Sequence, residues 1–354
     1  MTFPFSYFTI LTELERHIPL KEEELRMETV LVTGAYGFLG RYVVREMQEN
    51  GYRVIAFGRN AEKLAQLKGE NIELFQGDFC NPEDITQASA AADYVIHCGA
   101  LLKGWGRRED FIRTNVEGTR NVLRACEENH IKRLIYTSSP SVQPLKNDLH
   151  LTEQDYNENN HLNYYIESKI LAEKLVRGQD KVPYAIIRPR GLCGIGDKNM
   201  LPVLIRANET IGIPLFQKGS VMADLCCIEN VALSLRLCLE RQEALAQVYH
   251  ITNDEPRSVP ALAEEMFAAL GTKTKYLHLP FSLAYGVAGL LEGVYKLFGI
   301  WDKAPALTRY NVCTLGRSQV FDITKAKTEL GYVPKVSLSE MIRAYAEAYQ
   351  RGEA

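Results

Sequence analysis

The chain lacks a marked excess of charge, any C-x-x-C pair, and any uncharged apolar run of membrane-spanning length across its 354 residues. Lysine and arginine total 41 against 44 acidic residues, so the formal net charge of -3 gives no sign of the basic surface that nucleic-acid binding requires. The eight cysteines form no Cys/His cluster with zinc spacing, and neither a metal site nor a disulfide framework is expected. Cys98, Cys126 and Cys238 sit in apolar runs, where a thiol behaves as a small hydrophobe. Free thiols point to a reducing compartment, most simply the cytoplasm. Phe281 to Trp301 is the most apolar stretch, but only residues 281–291 are free of charge, short of the ~20 residues a membrane span needs. It reads first as a buried helix. The alternative is a wall or lid for a large apolar substrate, with room for peripheral contact at a membrane surface. Residues 1–26 lack the early positive charge and small-residue cleavage site of a signal peptide. They are expected to be a loosely attached extension, or to precede a natural start at Met27.

What is present is organised around Thr29 to Gly40, TVLVTGAYGFLG. Val30, Leu31 and Val32 read as a buried strand, glycines follow at 34, 37 and 40, and a helical pattern starts at Phe38. A strand that turns on glycine into a helix exposes backbone N–H groups and the positive end of the helix dipole, a ready seat for a pyrophosphate. The spacing is G-x-x-G-x-x-G rather than G-x-G-x-x-G, so the pattern needs support from its flanks.

The flanks supply it. Strand patterns at 54–57, 72–76, 94–97 and 134–137 alternate with helical patterns at 60–68, from Pro82 and at 110–128. Strands spaced by single helices predict an α/β, Rossmann-type, doubly wound parallel sheet. Residues 27–190 form the expected nucleotide-binding domain. The pattern at 224–239 and a strand at 248–251 return to it. Residues 191–223 and 254–345 form a smaller, mostly helical substrate lobe. Ligands on such sheets bind beyond the carboxyl ends of the strands.

After the second strand, where an acid would select NAD, the chain reads Phe57-Gly58-Arg59-Asn60. Glycine leaves room for a 2′-phosphate and Arg59 offers it a charge-matched fork, so NADP(H) is preferred over NAD(H). Asp78 is placed to meet the adenine amino group, with Phe79 beside it. Cys98, Gly99 and Ala100 are small enough to let the cofactor lie across the sheet. Thr137-Ser138-Ser139 closes the fifth strand, and Tyr165 and Lys169 are four apart on a helical segment over 162–177, sharing one face. Roughly one Tyr-x-x-x-Lys is expected by chance in a chain with 18 tyrosines. Its place behind a serine cluster at a strand end gives it weight. An ammonium beside a phenol favours the phenolate, which makes Tyr165 a usable proton donor or acceptor.

TGAYGFLG, GDF, HCGA, NVEGTRNVL, YTSS, Y-x-x-x-K and Arg188-Pro189 occur in the order that the extended short-chain dehydrogenases/reductases show, and the chain resembles that family over residues 27–345. The resemblance implies hydride transfer at nicotinamide C4, with Tyr165 as general acid/base and Ser139 (Ser138 as fallback) orienting the substrate oxygen. It implies that Lys169 binds the nicotinamide ribose while favouring ionised Tyr165. It also puts Tyr36, Phe38, Leu39 and Pro189 among the cofactor contacts. Gly99 departs from the family's usual alanine. The C-terminal lobe, with Phe321 to Ala326 and Leu330 to Pro334, resembles the 3β-hydroxysteroid dehydrogenase-like branch, which implies a bulky β-hydroxy or β-keto substrate. A homodimer through the helices at 110–128 and 162–177 is the family-like expectation. Two other readings remain open: a nucleotide-sugar epimerase or dehydratase that retains NAD, and a non-catalytic NADP(H)-sensing binding protein.

Overall fold

The structure, a computed structural model, describes residues 26–353; the expectation for residues 1–26 therefore falls, except for Arg26, outside the described residues. Seven strands make the main sheet: β1 (Thr29–Thr33), β2 (Arg53–Gly58), β3 (Ile72–Gln76), β4 (Tyr94–His97), β5 (Arg133–Thr137), β6 (Tyr184–Pro189) and β7 (Gln247–Ile251). Their order is β7-β6-β5-β4-β1-β2-β3 and every pairing is parallel. Strand alternation sends Val30, Val32, Val54 and Ala56 to one face, against helices Phe38–Glu49 and Ile228–Glu240. Leu31, Ile55, Phe57 and Val95 go to the other face, against helices Pro82–Ser89, Gly118–Glu128 and Tyr164–Arg177. Both faces are covered, which is why these strands read as continuous apolar runs.

Several boundaries differ from the sequence reading. β6 is an added strand, obscured because Pro183 and Pro189 bracket its apolar run. The segment read as one helix over 110–128 begins at Arg108 and passes through a π-helical stretch, Ile112–Glu117, before Gly118–Glu128. The return helix starts at Ile228, not Asp224, because Cys226–Cys227 pair with Leu192–Cys193 as a short parallel ladder. Ile323, Ala326, Leu330 and Tyr332, expected in the substrate lobe, pack into the core of the main sheet. The lobe has its own core, in which Leu201, Ile205, Met266, Phe267, Met341 and Ile342 meet.

Helix Phe281–Leu297 corrects the reading of the apolar stretch as a buried helix and confines the wall reading to the end of the stretch, where Trp301 lines the cavity. It buries only Ala284, Ala288 and Glu292, so it is not a core helix, and none of its residues lines the main cavity. Leu283, Val287, Leu290, Val294 and Leu297 form one exposed stripe, with Leu297 81% and the following Phe298 71% exposed. Glu292, which breaks the uncharged run, is the inward anchor: it accepts from Arg309 N at 2.7 Å and Nε at 2.8 Å. Among the described residues no helix is long and apolar enough to cross a membrane.

Candidate active site

The β1 turn is built for close approach. Gly34 has φ +67°, and a Cβ there would lie 2.9 Å from Gly99 Cα. A Cβ at Gly40 would lie 2.1 Å from Gly34 O and 2.8 Å from Ala35 Cα, so the helix leaves no room for a side chain where it meets the turn. Gly37 caps helix Phe38–Glu49 without a side-chain hydrogen bond, and no acidic residue occupies the first turn. The first N–H groups are thus left for an anion. These residues fit the pyrophosphate of a dinucleotide.

Gly58 and Gly99 serve aromatic neighbours. A Cβ at Gly58 would lie 2.5 Å from Tyr36 Cε1, so the space expected for a 2′-phosphate at this glycine is taken by the Tyr36 ring. A Cβ at Gly99 would lie 2.5 Å from Phe79 Cε1, and one at Gly118 would lie equally close to the same ring. The departure from alanine at 99 is therefore matched by Phe79. Asp78 does not line the cavity. One of its oxygens accepts from Cys80 N at 3.0 Å and the other faces Arg59 at 3.7 Å. Its carboxylate thus makes a turn contact and an exposed ion pair. Arg59 lines the cavity, as do Gly34, Tyr36, Gly37, Phe38, Leu39 and Gly40. Cys98, Ala100 and Pro189 lie further along the same wall. The Cys98 thiol is pushed up to about 12 by burial and stays protonated.

Ser139, Tyr165 and Lys169 meet in this cavity at the carboxyl end of β5. Asn163 caps their helix by accepting from Ile166 N at 2.8 Å, which sets Tyr165 in the first turn. Asn115, on the π-helical stretch, donates to Ser168 Oγ at 2.9 Å, and Ser168 donates to Tyr165 O at 2.8 Å. The two neighbouring serines diverge. Ser138 Oγ donates to Glu173 at 2.5 Å, inside a buried pair with Arg188, while Ser139 Oγ donates to Ser141 Oγ at 3.1 Å. Ser141 in turn contacts Tyr310 OH at 3.3 Å.

Burial pushes the Tyr165 phenol well above its ordinary value; Tyr310 adds to the rise and the Ser139 hydroxyl opposes it. Lys169 does not act on Tyr165 as the helical spacing suggested. Its Nζ donates to Tyr136 OH at 2.9 Å and Thr137 O at 2.7 Å, because a desolvated ammonium takes the fixed acceptors within reach. Two of three N–H donors are used, which leaves one for the cavity. Burial pulls the Lys169 pKa down to about 7, against the opposing pull of Glu173. Beneath it His97 is held neutral, pushed down to about 3 by burial, with Thr33 Oγ1 2.6 Å from Nδ1 and Thr119 Oγ1 3.2 Å from Nε2.

The cavity, about 1350 Å³, runs from the glycine turn into the lobe, where Leu204, Leu262, Met266 and Leu315 line it. Trp105 and Trp301 stack at 5.4 Å on its wall, and Trp105 Nε1 donates to Ile300 O at 3.0 Å. Sequence reasoning missed Tyr310, Arg190 and Trp105, while Trp301 closes the stretch read as a possible wall. Arg190 alone carried a signal, as a cation directly after the Arg188-Pro189 motif.

A model of the NAD dependent epimerase/dehydratase family matches residues 30–252. The chain belongs to that family. It is 30% identical over 334 residues to the 2-alkyl-3-oxoalkanoate reductase of Shewanella oneidensis, covering 89% of this chain and 84% of the relative. It is also 30% identical over 332 residues to the decarboxylating sterol-4-alpha-carboxylate 3-dehydrogenase of Mus musculus, covering 90% of each. The solved structure of gox2253 superposes with a TM-score of 0.76 at 28% identity, over 92% of this chain and 99% of that one. A Bacillus cereus UDP-glucuronic acid 4-epimerase in complex with NAD gives 0.72 at 20% identity, over 91% of this chain and 99% of that one, a likeness of fold. The family member described here is an NAD(P)-binding oxidoreductase with a Rossmann fold and 3β-hydroxysteroid dehydrogenase-like relatives.

Proposed function

We propose that the protein interconverts a secondary alcohol and a ketone on a bulky, largely apolar β-hydroxy or β-keto compound, using NADP(H). The observation that carries this is the meeting of Ser139, Tyr165 and Lys169 in one cavity that joins the glycine turn to an apolar lobe pocket. The nicotinamide, when bound, supplies or accepts the hydride. Ser139 orients the substrate oxygen, and Tyr165 gives it a proton in reduction or takes one in oxidation. The raised pKa of the phenol holds that proton in place for reduction. The free donor of Lys169 suits a ribose hydroxyl. The two relatives' names support the substrate class: each describes oxygen chemistry at position 3 of a molecule with a carboxylate on the neighbouring carbon.

Preference for NADP(H) is supported by Arg59, whose only ion-pair partner among the described residues is Asp78 at 3.7 Å on an exposed surface. A dianionic phosphate would displace so weak a pair. The exposed stripe of helix Phe281–Leu297 supports peripheral contact with a lipid surface.

The test is oxidation of NADPH and NADH against long-chain 3-oxo acids and sterol ketones. Tyr165→Phe is expected to lose about 10²-fold or more in kcat while NADPH binding, read by its fluorescence, persists. Arg59→Ala is expected to raise KM for NADPH about tenfold more than for NADH. Turnover that survives Tyr165→Phe would overturn the assignment, and tightly retained NAD in the purified protein would favour an epimerase.

A further inference from the structure

Arg190 follows β6 directly, and its backbone is pinned to β7 by N–H donation to Ile251 O at 3.0 Å. The side chain is partly buried and lines the cavity. Among the described residues no carboxylate oxygen lies within 4.0 Å of its guanidinium and no hydrogen bond satisfies it; its one close partner is the Phe321 ring, 5.8 Å from Cζ. Lys103 and Arg107 also line the cavity without an ion pair, but both are exposed to solvent, and the remaining cavity cations are paired. Lys169 is held by Tyr136 and Thr137, Arg59 faces Asp78, and Arg113 faces Asp110. The nearest acid that acts on Arg190 is Asp224, itself buried. One Asp224 oxygen accepts from Phe321 N at 3.1 Å and the other has no partner; burial pushes this carboxyl up to about 6. A partly buried guanidinium with no paired anion is poorly compensated, and its donors are free to take an acceptor that enters the cavity.

The cofactor's phosphates do not meet that requirement. The pyrophosphate seat is at the β1 turn, and β4 and β5 lie between β1 and β6. Three strand spacings amount to about 14 Å. Arg190 instead neighbours the reacting centre. Tyr310, which contacts Ser141 beside Ser139, is close enough to act on both Tyr165 and Arg190.

We infer that Arg190 binds a carboxylate carried on the carbon next to the reacting one, so that the substrate is a 3-hydroxy or 3-oxo carboxylate rather than a neutral alcohol or ketone. The inference rests on the proposed alcohol–ketone reaction and adds to it a residue that selects the substrate. Guanidinium and carboxylate match as planar forks, and an anion in this position fixes the 3-oxygen towards Ser139 and Tyr165.

The probe is 3-hydroxyhexadecanoate against its methyl ester, with NADP+ reduction followed in the wild type, Arg190→Leu and Arg190→Lys. The wild type is expected to favour the acid by about 10- to 100-fold in kcat/KM. That ratio should collapse towards one in Arg190→Leu and recover in part in Arg190→Lys, which also serves if the leucine variant folds poorly. An ester used as well as the acid by the wild type, or an unchanged ratio in Arg190→Leu, overturns the inference. Calorimetry of both probes on the NADP+-loaded protein separates the two proposals. Acid binding that weakens about tenfold or more in Arg190→Leu upholds the carboxylate site even if neither probe is oxidised, a result that counts against the reaction alone. Equal binding of acid and ester overturns the role of Arg190.

Discussion

Removing the Glu173 carboxylate should cost more than any other single change near the site, because it strands a buried cation. Glu173 lies one turn beyond Lys169 on helix Tyr164–Arg177, and both it and Arg188 have fully buried side chains. Arg188 Nη2 and Nε meet its two oxygens at 2.5 and 3.1 Å, and Ser138 Oγ donates to it at 2.5 Å. In Glu173→Ala, Arg188 keeps only Glu153 O at 3.0 Å and the Tyr156 ring at 5.3 Å. Breaking one side of a buried pair costs about 3–5 kcal/mol, from a total stability of about 5–15 kcal/mol. At about 2.1 cal/mol/K per residue of unfolding entropy, that loss lowers Tm by roughly 6 °C. The double variant Glu173→Leu/Arg188→Met removes both charges and should recover most of the loss, since apolar replacement of a whole pair is near neutral. Calorimetric melts of the wild type, both single variants and the double variant close the cycle. A Glu173→Ala melt indistinguishable from the wild type, or a double variant no better than the worse single one, would refute the reasoning. Activity should fall with Glu173→Ala as well, because the same carboxylate fixes the strand end that carries Ser139.

Acid sensitivity has a traceable source. His97 and His250 are each pushed down to about 3 by burial, so the unfolded chain, with histidines near 6.5, takes up protons first as pH falls. Stability should drop between pH 6.5 and 3 by up to about 1.4 kcal/mol per pH unit for each. Asp224, raised to about 6, opposes part of the drop. Urea titrations at several pH values should show a flatter acid limb for His250→Phe, and an unchanged limb would remove His250 from the account. The exposed stripe makes a separate prediction: the wild type should cosediment with phospholipid vesicles, and Leu290→Ser/Leu297→Ser/Phe298→Ser should not. Equal sedimentation of both would reject lipid contact through this helix.

The parts of this molecule that local chemistry dictates were legible in the sequence. β1 and its glycine turn are specified by consecutive residues. The parallel sheet followed from the alternation of strand and helix. Contacts between distant segments were not legible. The partner of Lys169 is Tyr136 on the neighbouring strand, and no helical periodicity reports that the ammonium turns away from Tyr165. Gly58 read as an opening because the sequence does not show Tyr36 folding back over it. Composition marked residues 281–301 as apolar, but the direction of the stripe depends on Glu292 finding Arg309.

Arg59 and Arg190 place a cation at each end of the cavity. Arg59 follows β2 and Arg190 follows β6, four strand spacings or about 19 Å apart along the carboxyl edge. That separation is about twice the Debye length in physiological salt, so each fixes charge at its own end with little effect on the other. Between them lies Lys169, whose own charge burial has weakened. In the proposed function Arg59 addresses the nucleotide's 2′ position and Arg190 an anion beyond the nicotinamide. Cofactor preference and substrate charge are then separate properties of a single cavity, and substitution of one arginine should leave selectivity at the other largely in place.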